Sequence, residues 1–112
     1  MSVNSPLGEF EMLILAAVER LGDDAYSVTV RREIEERTGR LCSFGAVYTT
    51  LERLGTKGFV SFAEAPRSGD GAGRPRKMVK ATAAGRRALR DVVRSLDAMI
   101  DGLRLRPDAG RR

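Results

Sequence analysis

The sequence predicts a mainly α-helical domain that carries one small β-hairpin. Three observations carry that expectation. An apolar stripe at helical spacing occupies the start of the chain, a capped helix near residues 43–57 runs directly into alternating strand-like segments, and a heptad row of apolar residues closes the pattern. The 112 residues fit one domain, with room for a small core but not for a deep-pocketed enzyme fold.

Leu7, Phe10, Leu13, Ile14, Ala17, Val18 and Leu21 form the first stripe, so helix 1 is expected over Leu7 to Leu21. Pro6 suits its first turn, with Asn4 or Ser5 as the cap. "GDDA" reads as a turn. Helix 2 is expected over Ser27 to Thr38, with Val30 and Ile34 stacked at i, i+4 and Gly39 as the stop. Its outer face, from Arg31 to Arg37, reads as solvated, and Glu33 with Arg37 makes an i, i+4 pair.

Ser43 is a good N-cap for helix 3, which is expected to run to about Lys57 and stop at Gly58. Cys42 and Val47 then occupy the two positions of a hydrophobic staple, which gives the cysteine a structural role. "FVSFAEA" (Phe59 to Ala65) and "RKMVKA" (Arg76 to Ala81) read as two strands joined by the loop "PRSGDGAGRP". The spacing of Gly69, Gly71 and Gly73 is not a phosphate-cradling motif, since no helix begins after Gly73 and no Lys-Ser/Thr pair follows. Thr82 caps the last expected helix, on which Leu89, Val93, Leu96, Ile100 and Leu103 follow 4, 3, 4, 3 spacing. A seam this regular needs a partner, either helix 1 or a second copy of the chain. The expected organisation is residues 1–81 as a DNA-binding unit, 82–106 as a dimerisation helix and 107–112 as a disordered tail.

Charge and composition narrow the function. The chain has 20 Lys+Arg against 15 Asp+Glu, a net charge of +5. The excess is uneven, with −3 over residues 1–40, +4 over 41–81 and +4 over 82–112. Basic charge concentrated in part of a chain points to a polyanion partner. With no histidine and only Cys42, a His/Cys metal site or a Cys–His or Ser–His catalytic pair is excluded within these residues, as is an intrachain disulfide. Neighbouring carboxylates such as Asp23–Asp24 and Glu35–Glu36 read as a turn and a solvated face. No catalytic residue, metal or cofactor is therefore expected. No segment reaches the ~20 apolar residues of a membrane span and no signal peptide is read at the N-terminus, so a reducing cytoplasm is the expected setting.

Three helices followed by a basic hairpin describe a winged helix-turn-helix with an added C-terminal dimerisation helix, in which helix 3 enters the major groove of double-stranded DNA. Ser43, Gly45 and Ala46 bring the helix N-terminus close to the duplex, Tyr48 reaches a phosphate, Thr49 a base edge or thymine methyl, and Arg53 the backbone or a guanine. Arg74, Arg76 and Lys77 are the wing cations. A protein adaptor whose basic face binds an acidic partner is the alternative.

The chain resembles the PadR-like transcriptional regulators from Leu7 to about Leu103. The resemblance rests on "LGEFEMLILAAVERLGDDAYSVTVRREIEERTGR", "SFGAVYTTLERLGTKGFV" and "GRPRKMVKATAAGRRAL". Its most specific pieces are Gly45-x-x-Tyr48-x-x-Leu51-x-Arg53-Leu54, Lys57-Gly58 and Gly73-Arg74-Pro75-Arg76-Lys77. It implies a homodimeric DNA-binding repressor whose C-terminal helix pairs with its copy and whose wing arginines reach the backbone or minor groove. Many relatives carry Tyr-Tyr or a similar pair where Met78 and Val79 stand here. Some relatives bind flat aromatic ligands through tryptophan. This chain has no tryptophan, and its residues assign no small-molecule effector.

Overall fold

A computed structural model of the chain describes residues 7–65 and 76–105. The elements follow in the order α1 (Glu9–Leu21), α2 (Ser27–Thr38), α3 (Phe44–Thr56), β1 (Val60–Ala65), β2 (Arg76–Ala81) and α4 (Ala83–Ile100), with a single 3-10 turn at Gly22–Asp24 between α1 and α2. The expected class, mainly α with a β-hairpin in a winged-helix arrangement, is the observed one. Ile14, Leu15 and Val18 of α1, Val30 and Ile34 of α2, and Val47, Leu51 and Leu54 of α3 converge on one core, closed by Val60 and Val79 of the hairpin.

α1 starts two residues later than expected. Gly8 is its N-cap, and the Glu11 carboxylate accepts the free Gly8 N–H at 2.8 Å, the back-reaching half of a capping box. Leu7, just outside the cap, is buried. Asn4, Ser5 and Pro6 lie outside the described residues. α2 has the expected bounds and ends on Gly39 in the left-handed region (φ 74°). Its first turn is organised by Thr29, whose hydroxyl accepts from Tyr26 N–H and donates to the Asp24 carbonyl.

Ser43 caps α3 as expected, accepting from Ala46 N–H at 3.0 Å. α3 ends at Thr56 rather than Lys57. Gly58 takes φ 82°, Phe59 N–H reaches back to the Leu54 carbonyl and Gly58 N–H to that of Gly55, the paired bonds of a Schellman ending. That ending also consumes Phe59, which is why β1 begins at Val60 and not at Phe59. The strands pair antiparallel, with Val60 opposite Ala81 and Ala65 opposite Arg76. Val79 N–H donates to the Ala25 carbonyl, so β2 is tied on its other side to the α1–α2 connection. The tip of the hairpin, residues 66–75, is outside the described residues and Arg74 with it.

The Thr82 hydroxyl caps α4 by accepting from Gly85 N–H and also donates to the Gly58 carbonyl, while Thr82 N–H donates to the Phe59 carbonyl. Gly85 is packed so tightly that a Cβ there would sit 2.1 Å from the Phe59 carbonyl oxygen. α4 runs to Ile100, and Gly102 at φ 85° turns the chain away. Leu103 is therefore off the helix, a correction to the heptad row, which needs a continuous helix through residue 103. Leu89 is half-buried against the core, whereas Val93, Leu96, Met99, Ile100 and Leu103 are exposed. Residues 106–112, which include the expected tail, lie outside the described residues.

Candidate nucleic-acid interface

α3 is sharply two-sided. Val47, Thr50, Leu51 and Leu54 are buried, while Ser43, Phe44, Gly45, Ala46, Tyr48 and Thr49 are exposed. The split follows from periodicity, because 3.6 residues per turn set 47, 50, 51 and 54 on one side and 45, 49, 52 and 56 on the other. Every predicted residue of the helix-3 group except Arg53 thus falls on or beside one outward strip at the first two turns. Gly45 has open space above it, with only Ser43 Oγ within 4 Å of where a Cβ would be. A flat approach of a ligand to the helix start is sterically free there.

Arg53 points differently. It is exposed, but its guanidinium lies 3.9 Å from Glu11, on the α1 side of α3 and away from Tyr48. Glu11 itself is buried at 6% exposure and is held by Lys57 and by Gly8 N–H. Burial pushes its carboxyl up, but the Gly8 hydrogen bond, Lys57 and Arg53 outweigh that and leave it below the ordinary carboxylate value.

The two described wing cations sit at the foot of the hairpin and are both held by neighbours. Arg76 stacks on the Tyr26 ring at 4.6 Å. Lys77 donates to Glu52 Oε2 of α3 at 2.6 Å and lies over the rings of Phe62 at 4.4 Å and Tyr48 at 5.3 Å. The hydrogen bond to Lys77 holds the Glu52 carboxyl below its ordinary value, against a smaller opposing effect of burial, and the same bond raises the Lys77 ammonium.

Two side chains beside this surface carry no signal in the sequence. Arg31, expected on a solvated face, instead stacks on Phe44 at 4.4 Å and donates to the Cys42 carbonyl at 2.8 Å. Glu35 accepts from Cys42 N–H, so α2 grips both backbone groups of the residue before the α3 cap. Cys42 is half-buried against the core that holds Val47, and its thiol is pushed up by burial and then by Glu35, which keeps it protonated. The other is Glu52, whose partner stands on a different element and is invisible to spacing rules.

Among the described residues no cluster of His, Cys, Asp or Glu could hold a metal ion, and no helix is long and apolar enough to cross a membrane. Among the described residues, two small clefts open on the surface. One of about 30 Å³ lies between α3 and the hairpin, floored by Leu51, Phe62 and Val79.

The sequence profile of the transcriptional regulator PadR-like family matches residues 14–91, which spans α1 to the middle of α4. The chain belongs to the PadR-like family of transcriptional regulators. No protein of curated function matches it significantly. Among solved structures, a PadR-like transcription factor from Bacteroides fragilis superposes with a TM-score of 0.70 at 22% identity, covering 82% of this chain and 84% of that one. A PadR family transcription regulator from Clostridium difficile gives 0.67 at 21% identity, over 84% of this chain and 92% of the other. Bacillus subtilis PadR in complex with operator DNA gives 0.63 at 20% identity, covering 88% of this chain but 49% of that chain. At these identities the PadR-like structures speak to fold, and the winged helix is the fold they share with this chain.

Proposed function

We propose that this PadR-like protein is a sequence-specific double-stranded-DNA-binding transcriptional regulator that acts in the cytoplasm as a homodimeric repressor. The observation that carries the reading is the outward strip of α3, where Gly45, Ala46, Tyr48 and Thr49 are exposed at a capped helix start while the opposite face is locked in the core. A helix held this way can enter a major groove without disturbing the fold. That the Bacillus subtilis PadR structure is a complex with operator DNA supports the same use of the shared fold. In this reading Tyr48 contacts phosphate, Thr49 a base edge, and Arg74, Arg76 and Lys77 line the wing side.

Pairing follows from α4. Val93, Leu96, Met99 and Ile100 expose apolar surface that a lone protomer leaves in water. A two-fold axis through that surface sets two copies of α3 on successive turns of the duplex, roughly 34 Å apart. Repression then needs only occupancy of a promoter.

The test is a gel shift with the protein's own upstream DNA beside random duplex, repeated across salt concentrations. Tighter binding to the upstream fragment, with log K falling linearly in log salt, is expected. Failure to bind any duplex removes the reading and favours the adaptor alternative, in which the basic face takes an acidic protein.

A further inference from the structure

Glu52 is the one acidic residue of α3, and it stands half-exposed on the outward side of the helix where α3 meets the hairpin, one turn from Tyr48 and Thr49. A carboxylate in that place works against a polyanion partner. It repels phosphate, and the whole helix carries only Arg53 to balance it. Yet it is not left to move freely. Lys77 of β2 holds Oε2 at 2.6 Å over the apolar floor of the cleft, which Tyr48 also lines. The side chain is half exposed, so one carboxylate oxygen is fixed by the protein while the group still faces solvent.

The major groove offers an ionised carboxylate few partners. Guanine presents acceptors there and thymine an acceptor and a methyl group; adenine carries an N6 amine but sets the N7 acceptor beside it, whereas cytosine N4 is an amine donor with no acceptor on the same base edge, the donor from which Glu and Asp accept. Building on the DNA-binding reading above, we infer that Glu52 is a specificity-determining residue that accepts a hydrogen bond from a cytosine N4 amine in each half-site, with Lys77 as the residue that positions it. Lys77 thus orients a base reader from the wing foot. Where another base takes the cytosine's place, the carboxylate meets a guanine or thymine acceptor or the N7 acceptor beside adenine's amine, so wrong sequences are rejected rather than merely unrewarded.

The experiment is selection of preferred duplexes from a randomised pool, run with the full chain and with Glu52→Gln, followed by affinity measurements on the selected and on random duplex. Glu52 is on the surface, and circular dichroism of the variant checks that the fold is kept. The expected result is a cytosine preference at one position per half-site in the unmodified protein, worth roughly ten- to hundred-fold against a C·G to T·A exchange. Glu52→Gln should lose that preference alone, keep the others, and bind random duplex several-fold more tightly. Lys77→Met should weaken the same single preference without moving it. An identical selected sequence for Glu52→Gln, with unchanged affinity for random duplex, overturns the inference and leaves Glu52 as a support for Lys77. An unmodified protein that selects no sequence at all overturns the broader DNA-reading proposal instead, and this one with it.

Discussion

Lys57 Nζ lies 2.9 Å from both carboxylate oxygens of Glu11, joining the residue after α3 to the first turn of α1 across 46 positions of sequence. Glu11 is almost fully buried, while the Lys57 side chain keeps 34% of its exposure. Removing one partner of a buried ion pair costs about 3–5 kcal/mol, because the other charge is stranded. Here Lys57 can regain water, so Glu11→Ala is expected to cost about 2–3 kcal/mol, at or below the bottom of that range. Urea denaturation of the variant beside the unmodified chain measures it.

The same ion pair contributes to stability against acid. The Glu11 carboxyl is raised by burial but lowered more by Gly8, Lys57 and Arg53, so its folded value falls below the ordinary 4.5. A depressed carboxylate stabilises the fold fully above the unfolded value and loses that contribution as pH falls through the folded one. Glu52 acts in the same direction through Lys77. Melting temperatures should therefore drop from about pH 4.5 downward, and Glu11→Ala should show a shallower acid slope. Lys77, raised by Glu52, loses its contribution at the opposite end, as pH climbs past its folded value above 10.5.

Two glycines should respond oppositely to alanine. In a helix the change ordinarily stabilises by about 0.5–1 kcal/mol. Gly45→Ala meets only Ser43 Oγ at 3.9 Å, so stability should rise slightly while DNA affinity falls, because the added methyl faces the partner. Gly85→Ala drives a methyl into the Phe59 carbonyl and should destabilise, by about 1–3 kcal/mol or more. Equal stabilisation of both variants in thermal melts would show that α4 does not dock as described.

Leu96→Asp tests the pairing surface. Leu96 is 52% exposed in the protomer, so the charge does not enter the protomer's own core. The variant should keep its circular dichroism, become monomeric by light scattering, and lose tight operator binding because each half-site then binds alone. An unmodified protein that is monomeric at tens of micromolar would refute pairing through α4.

Thr49→Ala should lower the ratio of specific to non-specific affinity by about 1–3 kcal/mol. Arg76→Ala should instead weaken all duplexes alike and flatten the salt slope by about 0.9 for each phosphate that the variant no longer neutralises. Filter binding on operator and random duplex separates the two.

The elements that can be read from the chain are those whose signals are local. α2 has its expected bounds because Gly39 supplies the left-handed stop, and α3 begins where Ser43 offers an oxygen to Ala46 N–H. The start of α1 is misplaced by cap preferences that favour serine and asparagine, whereas Gly8 serves once Glu11 reaches back to it. The end of α4 is legible in principle, since Gly102 is the same kind of stop as Gly39, but the regular apolar spacing through Leu103 masks it. Pairings between elements leave no local trace. The Arg31–Phe44 stack, the Lys77–Glu52 bond and the Glu11–Lys57 pair each join residues that meet only after the helices cross.

Thr82 splices the end of α3 to the start of α4 with main-chain groups at both ends of the splice: its hydroxyl serves Gly58 and Gly85, and its N–H serves Phe59. Gly85 seals the joint by close backbone approach. The angle between α3 and α4 is therefore set by main-chain groups and one threonine hydroxyl, not by the side chains on either outer face. Exposed residues of α3 are free to drift in evolution, and under the proposed DNA reading the bases preferred drift with them. Under the proposed pairing through α4, the distance between two half-sites would not. Descendants of such a protein can acquire new target words while keeping the same gap between them, which makes operator spacing a slower-changing character than operator sequence.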